Sequence, residues 1–169
     1  MKSLTPLLIL LLVTACESTG GVDSIYGSFV GATILDGTWI QQRLVCDGTE
    51  VASNPGESTA MTLAGRSVVI SNTFPNGNQV CNLRTSGSLT YEPTTMSTDS
   101  KKVTIMFGNT ACSSECDPAM CVLVTGRMVP PATLIYELNE PNLKLSTNEG
   151  TALGCANAQS TDVEFTRQN

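Results

Sequence analysis

The stretch Leu134–Leu145, "LIYELNEPNLKL", decides the fold class. Leu134, Tyr136 and Leu138 recur at every second residue, turn-forming residues follow over Asn139–Asn142, and Leu143 and Leu145 resume the same period on the return. Side chains of an extended chain alternate between two faces, so an apolar period of two broken by a tight turn predicts a β-hairpin with one buried side. The pattern repeats outward in both directions. "TWIQQRLVC" runs from Thr38 to Cys46 and stops at Asp47-Gly48. "STAMTLAGRSVVISNTF" predicts a second hairpin, with Met61 and Leu63 on one arm, Val68 and Ile70 on the other, and Gly65 in the turn. Val80–Arg84 and Ser88–Glu92 are predicted as two short segments either side of Gly87, and Val103, Ile105 and Phe107 alternate after them. Cys121–Met128 is predicted as a further extended run, stopped by Pro130-Pro131. The last segment, Thr161–Arg167, should bury Val163 and Phe165 and turn Asp162, Glu164 and Thr166 to solvent.

No window of twelve residues or more sustains a helical period. Roughly eight to ten short strands with tight connections imply an all-β, antiparallel sandwich or barrel. Only 14% of the residues are charged, while Ser, Thr, Asn and Gly abound, a composition common in exported β proteins and poor for helices.

The first fifteen residues read as an export signal: Lys2, an apolar run from Leu7 to Val13, then the small residues Thr14 and Ala15. The run falls short of the roughly 20 apolar residues a membrane-spanning helix needs. Val13-Thr14-Ala15-Cys16 resembles the lipobox of bacterial lipoproteins. The resemblance implies that the Cys16 thiol takes a diacylglycerol, that cleavage before it removes residues 1–15, and that the new terminus is acylated with a chain such as palmitate. Several acyl chains exceed the two signals stable anchoring requires. Glu17, where Asp is absent, points by the same resemblance to the bacterial outer membrane. Residues 16–34 then form a lipidated tether rich in Gly and Ser, and 35–169 the folded domain. Without the signal, 8 basic and 15 acidic residues give a net charge of −7, which disfavours nucleic acid as a partner.

Setting Cys16 aside leaves Cys46, Cys81, Cys112, Cys116, Cys121 and Cys155, an even set suited to three disulfides in an oxidising compartment. Fifteen pairings are open. The expectation here joins Cys46 to Cys81 and keeps the other four together around the loop 108–121. Zinc is the competing use of Cys112, Cys116 and Cys121, but the chain has no histidine and no Cys-x2-Cys. Neither a metal nor another cofactor is expected.

"LDGTW" at 35–39, together with "LIYELNEPNLKLSTNEG" and the closing "VEFTRQN", resembles small bacterial lipoproteins with a lipocalin-like barrel. The resemblance implies an up-and-down antiparallel barrel of about eight strands. It also implies that Trp39 closes the barrel floor and that Arg167 lies across the indole ring.

Absence of histidine removes the Ser-His-Asp and Cys-His arrangements, and no phosphate-binding loop is present. Glu137, Glu140 and Glu149, and the pair Asp162 and Glu164, are the carboxylates to inspect for glycoside chemistry, though strand parity turns the last two outward. No enzymatic activity is expected. The function expected is a membrane-anchored binding barrel with a small apolar ligand, a fatty acid being the first candidate. Its lining would include Ile40, Leu63, Ile70, Ile105, Phe107, Tyr136 and Phe165. The alternative is a packed barrel that meets an envelope protein partner through the loop 108–121. A void of a few hundred Å3 separates the first from the second.

Overall fold

The period of two becomes nine antiparallel strands in a computed structural model, which describes residues 34–92, 101–148, 153–155 and 158–168. The expected leader, Cys16 and the expected tether up to residue 33 lie outside the described residues. In chain order the strands are β1 (Gly37–Cys46), β2 (Thr49–Val51), β3 (Ser58–Ala64), β4 (Ser67–Asn76), β5 (Gln79–Tyr91), β6 (Lys102–Cys112), β7 (Ala132–Asn139), β8 (Asn142–Thr147) and β9 (Thr161–Arg167). A short helix, α1 (Pro118–Thr125), lies between β6 and β7. From β3 to β9 each strand pairs with the next, β3 pairs back to β1, and β9 pairs with the other side of β1. The result is a closed, up-and-down, eight-stranded antiparallel barrel. Closure pairs both sides of most strands, and among the described residues β6 alone keeps a long one-sided stretch, since its partner β7 reaches only to Ile105.

The ninth strand, β2, is a short flap on the far half of β1. Asp47 and Gly48 link the two with φ of 48° and 77°. Two successive positive φ values make the two-residue hairpin turn that follows strand twist, and an Asp-Gly pair tolerates them. All three residues of β2 are exposed, so no apolar alternation announces it.

Two expectations are corrected. Gly87 does not separate two segments: β5 runs unbroken for 13 residues. A Cβ at Gly87 would come within 2.7 Å of the Met106 carbonyl oxygen, and the β5–β6 register shifts between Thr85 and Gly87. The glycine marks a bulge with a close backbone approach rather than a break. Cys121–Met128 is not extended either. Asp117 caps the helix by accepting from the amides of Ala119 and Met120, and Pro118 takes the first helical position, where its missing N–H costs nothing. Strand β7 pairs with β6 only over Lys102–Ile105, and residues 121–128 do not extend that ladder.

Inward-facing residues divide the barrel into two unlike halves. One end is filled by Leu35, Trp39, Leu63, Leu89, Val103 and Leu143, all buried. The space left among them is about 10 Å3, no more than one water. Trp39 is fully buried, and its Nε1 donates to the Leu35 carbonyl at 2.8 Å. Arg167, its register partner on β9, lays its guanidinium carbon 4.5 Å from the ring centroid. The same guanidinium donates to the Ile34 carbonyl at 2.6 Å and pairs with Glu140 at 2.9 Å, tying β9 to the segment before β1 and to the β7–β8 turn.

Removal of either plug residue should therefore loosen the sealed end. Trp39→Ala is expected to cost about 3–5 kcal/mol, as for other large aromatic-to-alanine changes in a core. Arg167→Ala should cost about 0.5–2 kcal/mol, the range for a cation over an aromatic face. Urea midpoints at fixed m-value check both.

Candidate functional site: an open apolar cavity

Opposite the plug, the interior is hollow. A cavity of about 440 Å3, open to solvent, is lined from the strands around this end of the barrel, the segment after β2, Val129 and the segment 153–154. Its walls are Met61, Ile70, Ile105, Phe107, Val163 and Phe165. Toward the mouth the lining turns polar, with Gln41, Thr59, Asn72 and Thr85 reaching the space. The hollow has a simple cause. Positions that would fill the upper interior carry Thr59, Asn72 and Thr85 where the sealed end carries Leu63, Val68 and Leu89.

Of the seven residues expected to line an apolar site, Ile70, Ile105, Phe107 and Phe165 meet at this cavity. Leu63 faces inward but belongs to the sealed end. Tyr136 is half-buried against the core, where burial and the nearby Tyr91 hold its phenol above the usual tyrosine range. Ile40 does not face inward. A register shift between Gln41 and Arg43 on β1 places Trp39 and Leu44 on the same face although their numbers differ in parity, and Ile40 falls outside. Ile40 and Trp39 are neighbours on one strand, so only one of them can face inward, and it is Trp39.

Charge at the mouth is already paired. The Arg43 guanidinium bonds Glu50 at 2.9 Å and Glu164 at 3.4 Å, the Glu50 hydrogen bond being the main reason its proton is held more tightly than usual. Lys144 pairs with Asp162 at 3.2 Å. A hydrogen bond from Ser146, then the Lys144 contacts, hold the Asp162 carboxyl below its ordinary value. Thus Asp162, Glu164 and Glu140 each meet a cation on the outer wall or at a turn, and Glu149 lies outside the described residues.

The cysteines gather at the hollow end. Cys46 bonds Cys155, Cys81 bonds Cys116, and Cys112 bonds Cys121. The expected Cys46–Cys81 bridge is replaced because Cys46 ends β1 next to the segment entering β9, while Cys81 opens β5 beside the loop after β6. The sulfurs of Cys112, Cys116 and Cys121 lie within 4.8 Å of one another because two bridges meet there. As disulfides they offer no thiolate to a metal. These bridges pin the loop 113–117 and the start of α1 to the barrel rim, and Asn76 Nδ2 donates to the Glu115 carbonyl as a further tie.

Comparison of the chain with protein-family models, with curated proteins and with solved structures found no match.

Loop length ranks the bridges. Cys46–Cys155 closes 109 residues and Cys112–Cys121 only 9. Chain-entropy arguments then give about 4.8 kcal/mol for the first and about 2.6 kcal/mol for the last. Paired Cys→Ser variants measured by chemical denaturation should fall in that order.

The depressed Asp162 carboxyl contributes stability above its ordinary value of 3.8, and that contribution is lost as pH falls through its lower folded-state value. Asp162→Asn should flatten this acid limb without changing stability's slope near neutrality, as followed by denaturation midpoints from pH 2 to 6.

Proposed function

We propose that this chain is a membrane-tethered, non-enzymatic barrel that holds one small, mainly apolar molecule in its open end. The cavity of about 440 Å3 carries the reading. It falls within the 300–1,000 Å3 typical of ligand sites, which are largely apolar with a few polar groups to orient the guest. A barrel packed throughout, acting only through its surface, would not leave that space.

The mouth constrains the guest. Arg43 is committed to Glu50 and Glu164, and Glu57 also reaches the lining, so among the described residues the entrance has no uncommitted cation to receive a carboxylate. Thr59 Oγ1 donates to Asn72 Oδ1 at 2.9 Å and Thr85 Oγ1 pairs with Thr110 Oγ1 at 2.9 Å, which leaves the amide of Gln41 and the amide nitrogen of Asn72 to meet a polar end. A neutral head suits them better than an ionised one, which makes a long-chain alcohol or monoacylglycerol a better guest than the fatty acid of the same length.

The tether rests on Val13-Thr14-Ala15-Cys16 and its likeness to a lipobox. Anchoring through Cys16, with Glu17 next to it, supports placement in the cell envelope at the bacterial outer membrane.

Displacement of a fluorescent apolar probe from delipidated protein tests the reading. Palmitate and its neutral alcohol should each compete at one site per chain, the alcohol more tightly. Ile70→Trp adds bulk to the cavity rather than to packed core, and should weaken binding about tenfold or more while leaving the fold intact. Wild type without saturable binding, or equal binding by the variant, overturns the proposal.

A further inference from the structure

Eight large apolar side chains stand exposed among the described residues, and five of them, Val51, Val80, Val122, Leu123 and Met128, belong to elements of the hollow end. Helix α1, "PAMCVLVT", has no buried residue and carries no charge. Val122 and Leu123 are 74% and 73% exposed, and Met128, just beyond the helix, is 95% exposed. Water-facing apolar side chains on a segment fixed by two disulfides and a capped N-terminus are held out at a constant position instead of folding back.

We infer that this end of the barrel dips into a lipid surface, with α1 and Met128 as the inserted tip. Size argues against a protein as the occupant. An eight-residue helix is about 12 Å long and about 10 Å wide, a footprint on the order of 120 Å2. A stable protein interface takes about 800 Å2 from each partner. Insertion of a few side chains into the headgroup boundary has no such threshold, because gain follows apolar area directly. The charge pattern agrees: residues 118–126 are uncharged, with exposed charged groups only at their two ends, Asp117 before Pro118 and Arg127 beside Met128. The acidic balance of the chain selects a zwitterionic rather than an anionic surface.

Chain length permits the orientation. Ile34 emerges at the sealed end, and 17 residues separate it from Cys16. At about 3.3 Å per residue they reach farther than the longest ten- to thirteen-residue strands are tall. An anchor on Cys16 therefore does not hold the mouth away from the bilayer.

The cavity continues this tip. Val129 follows Met128 and lines the space directly. A poorly soluble guest would pass from bilayer to barrel over Met128 and Val129 without crossing water. That consequence rests on the reading of the barrel as a ligand carrier; the lipid contact itself does not.

Trp39 is the only tryptophan and is fully buried at the far end, which permits a clean reporter. Leu123→Trp in the full chain, reconstituted with phosphatidylcholine vesicles, should show blue-shifted emission. That emission should fall by about half when the lipid is replaced by its brominated counterpart, as expected for a side chain about 5–10 Å into the headgroup boundary. Wild type should barely respond. Val122→Trp, on an equally exposed site, provides a second reporter should the first perturb folding. Water-like emission indifferent to bromine overturns the inference, and so does a blue shift without bromine quenching, which would mean that protein covers the helix. Retained quenching together with failed probe displacement removes the ligand reading alone.

Discussion

The contact between Arg167 and Trp39 is the constraint on which the architecture depends. It joins the last strand to the first across the seam where the barrel closes, at the level where β1 and β9 begin their pairing. An indole is large enough to fill the ring at that level, and its N–H is satisfied by the Leu35 carbonyl, so its burial leaves no orphaned donor. The guanidinium caps it and fastens three separate pieces of chain: the segment before β1, the strand β9 and the β7–β8 turn. With that end plugged, leucines and valines pack beneath it and the sheet curves around them.

The other end is stabilised by different means. Its interior lacks the large side chains that would fill it, so packing contributes less there, and all three disulfides cluster around its rim. Covalent links act chiefly on the unfolded chain and need no filled interior. A barrel can thus be hollow at one end without collapsing, because the cost of the void is offset by cross-links instead of contacts. Packing below and disulfides above divide the work, and the division is what leaves the cavity open.

How much of this is legible in the chain depends on the length scale of each feature. Hairpins such as β7–β8 and β3–β4 are written locally, as a period of two around Asn139–Asn142 or Gly65, and they are read without difficulty. Helix α1 is not, because "CVLVTGRM" is apolar without a period. The usable signal was Asp117-Pro118 in front of it, a cap followed by a first-turn proline. The partners of Cys46 and Cys81 depend on which strand ends become neighbours after closure, which spacing does not encode. Strand parity correctly turned Ile70, Ile105, Phe107 and Phe165 inward, yet parity carries no information on height along the barrel axis. Leu63 therefore groups with them although it lies in the plug, whereas Ile40 faces outward because its neighbour Trp39 takes the inner face.

The central claim is that the barrel is sealed by Trp39 and hollow at the opposite end. Xenon, which enters apolar voids irrespective of the natural guest, tests it most directly in pressurised crystals. The account predicts a xenon site among Ile70, Ile105 and Phe107 and none among Leu35, Leu63 and Leu143. Xenon only in the lower group, or in neither, would contradict it.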